Sequence, residues 1–312
     1  MGMFLLLLVI LVGLYVYANT NPAQATRACM RAARYLCGFR AVTVMVDGFE
    51  WHFIDSLNPH DAPKPIVLLI HGFGADKDSW LGYGRLLTAD YRVIALDLPP
   101  FGDSEQVSGH DYTPRVQAAR VAAFCHGLGL TQLHVAGSSM GGYIASWLAV
   151  DHPQLLSSMT LMNPAGVFGR QASIVQTQAE AGTNVLKMRN DTEFRQVMNM
   201  LAPKPPFVPR FVRRYAIERN LLREQIQDEV FWQMAHAQQE DKLQLALASV
   251  VVPTLVVWGD QDAVIDVSCA EVFADSISDS ELMILPGKGH IPMFEAPVAT
   301  ARRHRELMQR VS

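Results

Sequence analysis

Six short apolar runs, spaced between helix-like segments, set the tightest limit on what this chain folds into. They are "PIVLLIHG" (65–72), "RVIALDLP" (92–99), "LHVAG" (133–137), "SMTLMNP" (158–164), "TLVVWGD" (254–260) and "ELMILPG" (281–287). Most are apolar almost throughout and do not alternate, so they predict strands buried on both faces. The segments between, such as "PRVQAARVAAFCHGLG" (114–129) and "GGYIASWLAVDH" (141–152), carry helical patterns. Buried strands alternating with helices predict an α/β fold with a mostly parallel sheet covered on both sides. Functional groups in such a sheet belong at the strands' carboxyl ends. Two earlier runs, "AVTVMV" (41–46) and "WHFI" (51–54), joined through Asp47-Gly48, predict a leading hairpin. With 312 residues, the chain has room for one large α/β domain with an insertion.

The alternation stops between residues 165 and 249. No convincing strand occurs there, and the long amphipathic patterns "DTEFRQVMNMLA" and "REQIQDEVFWQMAHAQQEDKLQLALA" dominate. This stretch predicts a helical cap over the carboxyl edge of the sheet. The core then consists of 41–164 and 250–312.

The chain begins "MGMFLLLLVILVGLYVYA", with no charge from Met3 to Ala18. As a helix these residues would span roughly 24 Å, against a bilayer core of about 30 Å. A continuation through Asn19 and Thr20, with Tyr15 and Tyr17 in an aromatic belt, completes a span. Residues 1–20 are therefore expected to form a transmembrane anchor. Ala23-Gln24-Ala25 would suit cleavage of a signal peptide, but no Lys or Arg precedes the apolar run. A buried N-terminal helix fits least.

In residues 21–40, Asn21 and Pro22 suit a helix start. Arg27, Arg31 and Arg34 follow at helical spacing as one basic stripe, with Cys29, Met30, Ala33, Leu36 and Cys37 on other faces. Such a helix either lies on a membrane with its arginines near lipid phosphates or packs on the domain with a solvated basic edge. The arginines on the domain side of the anchor favour a cytoplasmic domain by the positive-inside rule.

The net charge of −4 gives no basic excess for nucleic acid. Cys29, Cys37, Cys125 and Cys269 form neither a disulfide framework nor metal-ligand spacing, and read as mostly buried thiols. No metal or organic cofactor is expected.

Gly137-Ser138-Ser139-Met140-Gly141 matches G-x-S-x-G, a strand-to-helix turn that exposes a serine. Such a turn needs small residues two before and two after the nucleophile. Ser139 has Gly137 and Gly141 there; Ser138 would have Ala136 and Met140, and Met140 would clash. A serine attacking a carbonyl needs a base, a group to orient the base, and donors for the oxyanion. His290, in the loop "LPGKGHIPMFEAP", is the expected base. His134 falls within a strand, and His126, His152, His236 and His304 fall in helical patterns. His52, His60 and His110 lie near early loops, and His71 precedes a glycine turn. "WGDQDAVI" supplies Asp262 as the expected orienting acid, with Asp260 bonding the turn. The oxyanion amides are expected from Met140, at the helix start, and Phe73, in the turn after "LLIHG".

From about residue 41 onward the chain resembles an α/β-hydrolase of the lipase and esterase kind. The matching pieces are "HGFGADKDSW" (71–80), "DLPPFGDS" (97–104), "GSSMGG" (137–142), "WGDQD" (258–262) and "GKGHIPMFEAP" (287–297). "HGFGADKDSW" is similar to bacterial family V lipases and monoacylglycerol-lipase-like hydrolases. These include membrane-anchored members and phospholipase A relatives with an N-terminal transmembrane helix. The resemblance implies Ser139, Asp262 and His290 as a triad, Phe73 and Met140 as oxyanion amides, and fatty acyl esters of lipids as substrates. Glycerophospholipids, lysophospholipids and monoacylglycerols are the leading substrates. The resemblance also implies an inner-membrane protein with a periplasmic domain, against the arginine count. Self-association as a homodimer through the anchor is compatible with the sequence. Members with an aspartate nucleophile are excluded by Ser139. A soluble or secreted esterase, a carbon–carbon bond hydrolase and a cofactor-free haloperoxidase remain as alternatives, as does a non-catalytic membrane-binding protein of this fold.

Overall fold

The computed structural model of the chain describes residues 13, 15–58 and 62–311. The expected anchor lies mostly outside the described residues, as does His60. Among the described residues no helix is long and apolar enough to cross a membrane.

Each apolar run forms a strand. These are β1 (Arg40–Val46), β2 (Phe49–Asp55), β3 (Ile66–Ile70), β4 (Arg92–Leu96), β5 (Leu133–Ser138), β6 (Leu156–Met162), β7 (Thr254–Gly259) and β8 (Ser280–Leu285). They build one sheet in the order β1-β2-β4-β3-β5-β6-β7-β8. The hairpin β1–β2 closes with Val46 opposite Phe49. Asp47 and Gly48 both take positive φ, 51° and 79°, as a two-residue hairpin turn favours. β2 runs antiparallel to β4, and every later pairing is parallel.

The continuous apolar runs have a simple cause. Leu68, Ile70, Val135, Val256 and Trp258 pack into a core on one side of the sheet. Their neighbours Val67, Leu69, Ala136, Leu255 and Val257 pack into a second core on the other. The two edge strands are more open: β1 exposes Met45, and β8 exposes Leu282 and Ile284.

The chain leaves β3 toward β4 on one side and returns to place β5 on the other. The order therefore reverses between β3 and β5, where open α/β sheets form a crevice at the strand ends. Ile70 pairs with Gly137 across this point, so the segments after both strands meet there. The helix after β5, α4 (Met140–Asp151), is buried on almost every side. It packs against β5 and against α3 (Pro114–Gly127).

Between β6 and β7 there is no strand. The segment carries α5 (Ile174–Glu180), α6 (Asp191–Leu201), α7 (Arg210–Leu222), α8 (Glu224–Glu240) and α9 (Leu243–Ala246). Asn190 caps α6 by accepting from Thr192 and Glu193 amides, each at 3.0 Å. From α8, Ile226, Val230 and Phe231 are buried, and Phe231 meets the Phe73 ring edge-on at 5.9 Å. α8 thereby lies against the loop that follows β3.

The helix α1 (Pro22–Leu36) differs from expectation in two ways. Asn21 makes no capping bond, because residues 15–20 are already helical and its side chain donates back to the Tyr17 carbonyl. The basic stripe also splits. Arg27 and Arg31 are exposed, whereas Arg34 forks onto Asp78, with Nε–Oδ1 at 2.7 Å and Nη2–Oδ2 at 2.5 Å. α1 packs on α7 and buries Ala25 and Thr26, while Tyr35 and Leu36 stay exposed. Of the four cysteines, all free, Cys125 and Cys269 are buried, Cys37 is half-buried and Cys29 is exposed.

Candidate active site

Ser139 occupies a sharp turn between β5 and α4, at φ 54° and ψ −118°. An L-residue reaches positive φ only at a cost, and such strain collects where function requires it. Backbone bonds hold the turn: Ser139 N–H donates to Met162 O at 3.0 Å, and its carbonyl accepts from Gly142, Tyr143 and Ala165. The flanking glycines are sterically required. A Cβ at Gly137 would sit 2.2 Å from Gly141 O, and one at Gly141 would sit 2.1 Å from Ile70 O. Ser138 is 2% exposed at the strand end. Ser139 is half-buried and lines a cavity of about 280 Å³ with Phe73, Val167, Phe168, Trp232 and Val264.

The loops after β7 and β8 carry Asp262 and His290, the residues expected as acid and base. His290 Nδ1 lies 2.7 Å from Asp262 Oδ2, and both side chains are almost fully enclosed. Asp262 Oδ1 accepts from Val264 and Ile265 amides at 2.7 and 3.0 Å. Bonding of Nδ1–H to this carboxylate leaves the lone pair on Nε2. Asp260 has the other role expected of it: its Oδ1 accepts the Gly287 amide at 2.6 Å. Gly259 lets the two loops touch, since a Cβ there would lie 2.1 Å from Gly289 O. Ser139 Oγ makes no hydrogen bond to His290 among the described residues; such bonds are often long before substrate binds.

Phe73 lines the same cavity as Ser139, and Met140 follows Ser139 at the start of α4. A Cβ at Gly72 would be 3.1 Å from Ser139 Cβ, so the turn carrying Phe73 abuts the serine. Neither the Phe73 nor the Met140 amide has an acceptor among the described residues. The Phe73 ring is wedged between Phe101, at 5.5 Å, and Phe231.

Several contributors were not singled out from the sequence. Asn163, at the end of β6, takes φ 47° and donates from Nδ2 to Asp262 Oδ2 at 2.6 Å. An Asn directly after an apolar strand and before Pro was the available signal, since Asn tolerates this conformation. The α6 end also reaches the site: Leu201 O accepts the His290 amide at 2.8 Å. Glu295 Oε1 accepts the Gly289 amide at 2.8 Å.

His71 supports the turn from below. Its Nε2 accepts the Leu98 amide at 3.0 Å, so Nδ1 carries the proton and donates to Gly72 O at 2.8 Å. Burial pushes His71 down to about 4 and keeps it neutral, as this pairing needs. The Gly72 carbonyl is thereby held, and the Phe73 N–H of the same peptide plane points the opposite way. His236, on α8, is exposed and also lines the Ser139 cavity.

Charges secure the rest of the loop. Lys77, 2% exposed, bonds Asp97 at 2.6 Å and Asp103 at 2.7 Å. Burial alone would raise the Asp103 carboxyl, but Lys77 and Arg219 outweigh it and hold Asp103 at about 2.

Comparison with known proteins bears on the family and the class of activity. Residues 65–297 match the model of the α/β-hydrolase fold family. Lipase 3 of Moraxella sp. (strain TA144) is 27% identical over 98% of this chain and 96% of its own. Monoacylglycerol lipase abhd6-B of Xenopus laevis is 28% identical over 77% of this chain and 74% of its own. Among solved structures, a membrane phospholipase A, a bacterial virulence factor, is 36% identical. It superposes with a TM-score of 0.88 over 100% of this chain and 99% of its own. The chain belongs to the α/β-hydrolase family, and it is a carboxylic ester hydrolase of the lipase and esterase kind.

Proposed function

We propose that the chain hydrolyses fatty acyl esters of lipids at a membrane through a Ser139, His290 and Asp262 triad. The observation that carries this reading is Ser139 itself. It is strained, held at the reversal of strand order, and opens onto a mainly apolar cavity also lined by Val264 and Ile265, whose amides bond the Asp262 that pairs with His290. In this reading Ser139 Oγ attacks the acyl carbonyl while His290 Nε2 takes its proton. Asp262 holds the imidazole and stabilises its charged form. The Phe73 and Met140 amides receive the oxyanion, the latter aided by the α4 dipole. His290 then protonates the leaving alcohol, and water activated by the same nitrogen releases the fatty acid. No cofactor enters the scheme.

The segment 165–249 acts as a cap that supplies Phe168, from the loop after β6, and Trp232, from α8, to the acyl-chain wall. Residues 1–20 anchor the enzyme in the inner membrane, and 21–40 connect the anchor to the core of 41–164 and 250–312. In this reading the catalytic domain lies on the periplasmic side, following the resemblance to anchored bacterial lipases and against the arginine count. The phospholipase A and the monoacylglycerol lipase named above direct attention to glycerophospholipids and monoacylglycerols, and lysophospholipids belong with them as the remaining expected substrates. Ser139→Ala should abolish ester hydrolysis in a lipid panel in detergent micelles without altering the thermal unfolding midpoint. Unchanged hydrolysis in that variant would remove Ser139 from the scheme. A mature chain beginning near Thr26 would remove the anchor.

A further inference from the structure

A second cavity, of about 380 Å³, lies between α1, the α7–α8 junction and the loops after β3 and β4. It shares no lining residue with the Ser139 cavity; Phe73 lines one and its neighbour Gly74 the other. Five arginines line it against three aspartates, so two positive charges have no counterpart in the wall. Arg34 is engaged by Asp78, and Arg219 by Asp76 and Asp103. Arg27, Arg31 and Arg223 have no carboxylate partner among the described residues. Arg223 instead bonds neutral groups, donating to Gly102 O at 2.5 Å and facing the Gln106 carboxamide. Arg27 and Arg31 come from one wall, and Arg223 from the junction between α7 and α8. Between them the lining turns apolar, with Met30, Val212 and Ala216.

We propose that this cavity is a binding site for a phosphate ester, with Arg27, Arg31 and Arg223 as its anion-holding residues. A single carboxylate is satisfied by one bidentate guanidinium, whereas phosphate oxygens accept from several guanidiniums at once. The apolar stretch fits the organic part of the ester. That ester is either a lipid head group or a soluble phosphate compound; the arginine chemistry is common to both.

The test uses the full chain in neutral detergent micelles, carrying Ser139→Ala to keep lipids intact, with calorimetry as a readout separate from hydrolysis. The probes are inorganic phosphate, glycerol 3-phosphate, and micelles doped with phosphatidylglycerol or with phosphate-free diacylglycerol. Adding Arg31→Gln and Arg223→Gln together should weaken phosphate-ester binding by about tenfold or more. Arg302→Gln, on the exposed face of α12 (Pro297–Arg310), should leave it unchanged. Should Arg223→Gln fail to fold, Arg31→Gln alone, on an exposed side chain, should still cost several-fold. Saturable binding of glycerol 3-phosphate assigns the site to soluble esters, and binding confined to phosphatidylglycerol assigns it to head groups. The proposal is overturned if no phosphate-bearing probe binds or if the arginine variants bind as the parent does. It is equally overturned if Arg302→Gln weakens binding as much.

Discussion

Replacing Asn163 with Asp tests the support beneath the proposed triad. Asn163 Nδ2 now donates to Asp262 Oδ2 at 2.6 Å in a fully enclosed setting. Asn163→Asp keeps the shape and the tolerance for φ 47° but swaps the donor for a carboxyl oxygen. Two carboxylates with charge centres about 4 Å apart repel by roughly 4 kcal/mol at an effective dielectric of about 20. That corresponds to about 3 pKa units, which carries an ordinary carboxyl near 3.9 to about 7. Below that pH the introduced group keeps its proton and donates it to Asp262, so the orientation of His290 survives. Above it, the second charge repels Asp262 from its place against His290. The kcat/KM of Asn163→Asp should therefore fall about ten- to hundredfold as pH rises through about 7. Asn163→Ala should be lowered by a similar factor at every pH. Initial rates on a soluble short-chain ester from pH 5 to 9, with urea unfolding as a check on folding, provide the measurement. An Asn163→Asp profile parallel to that of the parent enzyme would refute the reasoning, as would full activity in Asn163→Ala.

Further outcomes follow from other parts of the structure. Gly141→Ala drives a Cβ to 2.1 Å from Ile70 O; a backbone atom cannot rotate away, so a loss of at least about 3 kcal/mol is expected in urea denaturation. Arg34→Gln leaves the half-enclosed Asp78 without its fork. It should cost about 1–3 kcal/mol and, by loosening the loop that carries Phe73, lower kcat more than it changes KM; an unchanged kcat would separate α1 from that loop. Burial pushes His304 down to about 3, where its Nδ1 meets Tyr83 Oη at 2.8 Å. Because the unfolded chain takes up this proton from about pH 6.5 downward and the folded chain does not, stability is lost as pH falls from about 6.5 to 3. His304→Gln should flatten that slope by up to about 1.4 kcal/mol per pH unit, and parallel slopes in the two proteins would contradict it.

Much was legible because its cause is local. Five of the six apolar runs are continuous since each of those strands feeds two cores, while the edge strand β8 feeds only one. Asp47-Gly48 specified its hairpin through positive φ. The choice of Ser139 over Ser138 rested on glycine spacing, and the enclosed Ser138 and cavity-facing Ser139 follow that spacing. Asp260 and Asp262 divided their bonds as their places in the loop suggested.

What escaped the sequence depends on elements far apart along the chain. Arg34 read as part of an exposed stripe, because nothing near it in sequence announces Asp78, 44 residues away. Asn163 joins Asp262 across 99 residues, only because β6 and β7 are adjacent in the sheet. The sequence by itself determined the strands and the strained serine turn, and with them the chain order of the proposed serine, acid and histidine, since backbone sterics and apolar periodicity act over a few residues. Only the tertiary structure decided which helices wall the cavities, which arginines are neutralised and which side chains steady Asp262 and Phe73. Those outcomes turn on distances of a few ångströms between elements that only the order of strands in the sheet brings together.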